Sequence, residues 1–328
     1  MTTAKDLAVQ RASSAIDHVD EALAIFEGVR DELVQLRAAI ADTLESVPPR
    51  VEPVRGHFWH VGYGASLDEI GRLLDLAPTF RGVLLDVFWG DVEQAWGVFD
   101  PTPITSVLEL CASRERYLWL WPRTSAYNVA APPANLGPAG VETYMRTTAS
   151  AAIALYDQRT AAAHAAFYRY LGDTIGDSPW LAYVDSSCES APGSLFPLEQ
   201  RDAQLAGLVL GYAAQASAFP RTCVTANINA FAGRESKLLD RARALGLGFS
   251  ATDAFQTPIT NSAEKIAALP RPRIMQASLG AIDRAGIGGA LAWGQVCDVD
   301  ALAWIPWHKS EAASVEQIIA LTLANPIA

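Results

Sequence analysis

Basic residues are in short supply in this chain: 25 Lys and Arg stand against 36 Asp and Glu, for a formal net charge of -11. A nucleic-acid binder needs a concentrated basic face, so nucleic acid is set aside as a partner. Long apolar runs are missing too. No stretch of 18 or more uncharged apolar residues occurs, and the first 30 residues mix acids, bases and alanine without an apolar block. Neither a membrane span nor a signal peptide is therefore expected. Cysteine is sparse, and Cys111, Cys188, Cys223 and Cys297 are scattered without metal-ligand spacing, which reads as reduced core thiols. Among five histidines only His57 and His60 form a close pair. On a strand, H-x-x-H sends its two ends to opposite faces, so no metal centre is expected. No cofactor motif is present either, and the expected setting is the cytoplasm, or a larger assembly built there.

What the chain does have is apolar mass: 328 residues, half of them hydrophobic and 19% charged, enough for one large core. The N-terminal segment carries a different signal. Val19, Phe26, Leu33, Ile40 and Val47 recur every seven residues, and Ile16, Leu23 and Leu44 form part of an adjoining row whose missing members are Arg30 and Arg37. That is the seam of a coiled coil, so residues 1-48 are expected to form a long amphipathic helix that joins copies of the chain. The other reading of the same pattern is a helix lying in an intramolecular groove. Pro48, Pro49 and Pro53 end the helix and make residues 49-55 a stiff linker.

From residue 56 to 328, short apolar β-rich runs alternate with helical stretches, the pattern of parallel strands joined by crossover helices. Eight strands are expected at 57-63, 82-89, 117-123, 180-187, 222-229, 247-253, 273-278 and 301-307, with a closing helix over 312-323. The fold class is α/β, a (β/α)8 TIM barrel. A doubly wound open sheet is the alternative, but GYGAS after the first strand is a poor glycine-rich phosphate loop. The segment GGALAWGQV at 288-296 is also strand-like and is placed in the seventh helix.

Active sites of such barrels lie at the C-terminal ends of the strands. Polar and aromatic residues gather there: His60, Asp86, Trp89, Asp91, Glu93, Arg123, Asp185, Glu189, Asn227, Asn229, Asp253, Gln276, Trp304, Trp307 and His308. Carboxylates, amides and tryptophans on one rim suit a polyhydroxylated ligand, because ring faces stack on sugar C–H surfaces while polar groups pair with hydroxyls. A carbohydrate is the expected partner. The candidate binding residues are His60, Asp86, Trp89, Arg123, Asn227, Asn229, Gln276, Trp304 and Trp307.

The stretch GVLLDVFWGDVEQAWGVFDPTPITSVLEL (82-110), with Trp89, Glu93, Gly97, Phe99 and Asp100, resembles the second βα unit of the (β/α)8 glycoside hydrolases of the large retaining clan. The resemblance extends more weakly to about residue 308. It implies an acid/base glutamate after strand four, where CESA places Glu189, and a nucleophile glutamate at the end of strand seven, where this chain has Gln276. An amide cannot form a glycosyl ester. The asparagine that precedes the acid/base in that clan is replaced by Cys188, leaving Asn227 or Asn229 for the 2-hydroxyl contact.

Two functions fit. One is a glycoside hydrolase with Glu189 as general acid and a second carboxylate, Asp253, Asp185 or Asp86, as base or nucleophile. The other is a non-catalytic, oligomeric carbohydrate-binding or structural component on a degenerate hydrolase barrel, for example in a virion or tail-like assembly, gaining avidity through residues 1-48. A third reading, Cys188 or Cys223 as nucleophile with His60 or His308 as base, is the weakest.

Overall fold

Strands buried on both faces need short, almost continuous apolar runs, and each run read from the sequence does become a strand. A computed structural model of the chain describes residues 51-62, 64-95, 97-123, 143-145, 151-153, 155-186, 198-227, 241-252, 271-277, 299-305 and 315-327. The barrel strands are β1 (Gly56–Val61), β2 (Gly82–Phe88), β3 (Tyr117–Arg123), β4 (Leu181–Ser186), β5 (Cys223–Asn227), β6 (Gly248–Thr252), β7 (Arg273–Ala277) and β8 (Ala301–Trp304). Each begins within one residue of its expected start. All eight pair in parallel with their sequence neighbours, and β1 closes on β8. The eighth strand is therefore the 301 run; the 288-296 segment lies outside the described residues, as does the proposed coiled coil at 1-48.

Five helices of the outer layer are described: α1 (Leu67–Leu76), α2 (Thr102–Ser113), α3 (Gln158–Ile175), α4 (Arg201–Ala218) and α5 (Val315–Ala324). Ser66 and Glu69 form a capping box at the start of α1, satisfying donors that a helix N-terminus leaves open. Ile70, Leu73 and Leu74 of α1 are buried against the sheet, whereas Leu67, expected on the same face, is 44% exposed at the helix start. None of the described helices is long and apolar enough to cross a membrane.

Alternation along each strand divides the core in two. Phe58, Leu84, Trp119, Trp121, Tyr183, Cys223, Ile274, Ala301 and Ala303 form one buried cluster in the lumen. Phe58 and Tyr183, on the non-adjacent strands β1 and β4, meet edge to face across it at 6.0 Å. Residues of opposite parity pack under the helices: Trp59 stacks on Phe80 at 4.2 Å and donates its indole N–H to Leu73 O of α1. On that outer side Trp304 donates to His57 Nδ1, which fixes the imidazole proton on Nε2, from where it is donated to Asn325 O beyond α5.

Two glycines at strand starts are dictated by space and backbone. A Cβ at Gly82 would lie 1.8 Å from Tyr117 O, and Gly56 has φ +139°. The described end of the expected linker is part of the barrel, not a free spacer. Val51 and Val54 pack against the lumen cluster from its N-terminal end, with Tyr183 Oη donating to Val54 O at 2.8 Å and Cys223 Sγ to Val51 O at 3.2 Å. Beside them Asp300, fully buried, accepts from Arg55 Nε and Nη2, Arg271 Nη1 and Arg273 N, tying together the starts of β1, β7 and β8.

Candidate active site at the C-terminal mouth of the barrel

The lumen-facing parity that carries Phe58, Leu84, Trp119 and Tyr183 in the core delivers, two residues on, His60, Asp86, Trp121 and Asp185. Four consecutive strands thus present polar groups toward the C-terminal end, and β3 adds Arg123. Arg123 Nε approaches Asp86 Oδ1 to 2.5 Å, a charge contact whose angles fall outside hydrogen bonding. His60 Nε2 stands 3.8 Å from Asp86 Oδ2. Burial lowers the His60 pKa, and Asp86, which pulls it the other way, does not overcome the desolvation. The imidazole is therefore neutral at neutral pH.

Asp185 sits deeper, only 2% exposed. It accepts from Trp119 Nε1 at 3.2 Å and from the Thr225 hydroxyl. The Ser250 hydroxyl faces the same carboxyl without hydrogen-bond alignment. Desolvation pushes the Asp185 pKa up to about 7 in spite of these donors. The sign of the linkage follows. Folding favours the protonated acid, so its contribution is full below the unfolded value near 3.8 and is lost as pH rises through about 7. Urea unfolding from pH 4 to 8 is expected to show the native protein losing stability relative to Asp185→Asn by an amount on the order of a few kcal/mol. Parallel pH profiles for the two proteins would refute this.

Several residues expected at the rim do other work. Trp89 is fully buried, packed on Phe167 and His164, and donates to Glu93 Oε2 at 2.6 Å. Glu93, 3% exposed, also accepts from Gly97 N at 2.8 Å. The W-x-x-x-E step is thus a buried clamp on the 93-99 hairpin that follows β2. Trp89→Phe would leave that buried carboxylate one donor short and is expected to cost about 2–4 kcal/mol in denaturant unfolding. Trp304 is likewise fully buried among the outer-layer contacts, so neither indole offers a ring face to a ligand. Cys223 lies at the opposite end of the barrel against Val51, which removes it as a nucleophile for this mouth.

Asn227 and Gln276 are placed by their backbones at the ends of β5 and β7, Gln276 in register with Thr252 and Ala303. Glu189, Asn229, Asp253, Trp307, Cys188 and His308 lie outside the described residues. Among the described residues no cluster of three His, Cys, Asp or Glu has the geometry to hold a metal. Sequence reasoning missed Trp119, Thr225 and Ser250 as the setting of Asp185. The signal was in the two-residue parity: Trp119 precedes the rim residue Arg123 by four, and Thr225 precedes Asn227 by two.

No protein-family model matches the sequence, and no curated protein matches it. Solved structures do. Endo-glycoceramidase II from Rhodococcus sp. superposes with TM-score 0.54 over 81% of this chain and 78% of its own, at 13% identity. The exo-β-1,4-mannosidase Op5Man5 from Opitutaceae bacterium strain TAV5 gives 0.55 over 85% and 62%, at 16% identity. The β-amylase catalytic domain from Paenibacillus polymyxa gives 0.56 over 82% and 94%, at 10% identity. The chain has the fold of the (β/α)8 glycoside hydrolases. At these identities the likeness to glycoside hydrolases is one of backbone architecture, and chemistry must be argued from the residues of this barrel.

Proposed function

We propose that the C-terminal mouth of this glycoside-hydrolase-like barrel takes an uncharged carbohydrate and that Glu189, three residues past the end of β4, is the general acid of its hydrolysis. The observation that carries the reading is the charge balance among the described residues of the mouth. Asp86 offsets Arg123, His60 is neutral, and Asp185 is protonated below about pH 7. A lining whose described residues carry no surplus of positive charge suits hydroxyls and disfavours phosphates or carboxylates, which need one. Asp253, one residue beyond β6, and Asp185 are the candidate second carboxylates. Asn227, Asn229, Gln276 and Trp307 complete the proposed contacts.

The position of Gln276 favours a second reading. An amide at the end of β7 cannot act as nucleophile, and a binding barrel multimerised through residues 1-48 would gain affinity by avidity. One experiment separates the two: the full chain is screened against aryl glycosides and polysaccharides for both sugar release and binding, with its mass measured in solution. Release of sugar supports the enzyme. Binding without release, on a multimeric chain, supports the stalked binder. Neither binding nor release across the panel rejects the carbohydrate reading.

A further inference from the structure

Five indoles are fully buried among the described residues: Trp59, Trp89, Trp119, Trp121 and Trp304. Four of them donate their N–H within the protein, to Leu73 O, Glu93 Oε2, Asp185 Oδ2 and His57 Nδ1. Trp121 Nε1 alone has no acceptor. A buried indole N–H nearly always finds a partner, because leaving it without one forfeits its hydration for nothing. The contrast is sharpest along β3. Trp119 and Trp121 share its lumen face, and the deeper one is satisfied by Asp185 while the one nearer the mouth is not.

The Trp121 ring is also held in place. The Arg123 guanidinium covers one face at 4.6 Å from the ring centroid, and the His60 ring meets it edge to face at 5.7 Å. Asp86, in register beside it on β2, holds Arg123 there. With a face covered, Trp121 is poorly placed as a stacking platform. What it keeps is an oriented, desolvated donor.

We infer that Trp121 is a specificity-determining residue of the mouth that donates its indole N–H to a hydroxyl or ring oxygen of the bound sugar. The inference rests on the carbohydrate reading above. Its consequence is selectivity: a site with a buried donor rejects a ligand that lacks the matching acceptor far more strongly than an apolar pocket rejects a missing methylene.

The test uses the full chain labelled with 15N and a panel of methyl glycosides and disaccharides of glucose, mannose and galactose. Trp121→Phe keeps an aromatic ring between His60 and Arg123 and identifies the Trp121 indole signal by its loss from the spectrum. On titration with any panel sugar that binds, the Trp121 N–H signal is expected to move downfield as it gains an acceptor, while those of Trp59 and Trp304 stay in place. Trp121→Phe should weaken binding of that sugar about tenfold and leave its deoxy analogue, lacking the matched hydroxyl, bound as by the native chain. A sugar that binds without shifting the Trp121 signal, or that binds Trp121→Phe equally well, overturns the assignment and leaves the carbohydrate reading standing. If no panel sugar binds the native chain, both fall together.

Discussion

Glu189→Gln is expected to lower hydrolysis of an alkyl glycoside by about 100- to 10,000-fold, the range that a positioned general acid supplies. The chain leaves β4 at Ser186, at the C-terminal end where barrels of this fold assemble their chemistry, and Glu189 is three residues further along the sequence. A general acid matters in proportion to how badly the leaving group needs a proton. The loss should therefore be small for a dinitrophenyl glycoside, whose leaving group departs as an anion, and large for a methyl glycoside. Equal losses on both would assign Glu189 to positioning, and unchanged turnover would remove it from the mechanism. Asp185→Asn is the companion variant. If it reproduces the leaving-group pattern and Glu189→Gln does not, the protonated Asp185 is the acid.

The largest effect on stability is expected at the other end of the barrel. Asp300→Ala should destabilise the fold by about 3 kcal/mol in denaturant unfolding, because it removes a buried carboxylate that receives two guanidinium groups and a backbone N–H. The figure sits at the low end for a broken buried ion pair. Arg55 and Arg271 are 38% and 32% exposed and can turn toward water once released. Turnover or ligand binding per folded molecule should be unchanged, since Asp300 lies at the strand starts and the mouth at the strand ends. A variant as stable as the native chain would show that the cluster only decorates the rim.

This division between a stabilising end and a functional end bears on how much of the molecule is legible before it folds. Runs such as GVLLDVF and YLWLWPR announce strands because a strand covered on both faces has almost no polar position to spare, and eight such runs at helical spacing admit few arrangements other than a closed barrel. The same logic makes His57 and His60 readable as facing opposite ways, which they do, one bonded behind the sheet and one in the mouth.

Parity along a strand can be read locally; which parity becomes the lumen cannot. Trp304 and Trp89 look like rim residues by position, but closure of the barrel turned one toward the helices and the chain after β2 folded the other into a clamp with Glu93. Pairs distant in sequence are equally hidden. Arg55 and Asp300 are 245 residues apart, and nothing in either neighbourhood specifies the other.

By itself, then, the order of residues determined the strands, their parallel pairing and the end of the barrel where polar groups gather, because burial and backbone pairing act over a few residues at a time. The tertiary structure alone decided which indoles are satisfied, that Asp185 is desolvated enough to hold its proton near neutral pH, and that Arg123 is spent on Asp86 and Trp121. Each of those depends on how many atoms from distant strands displace water around one group, a quantity that exists only after the barrel has closed.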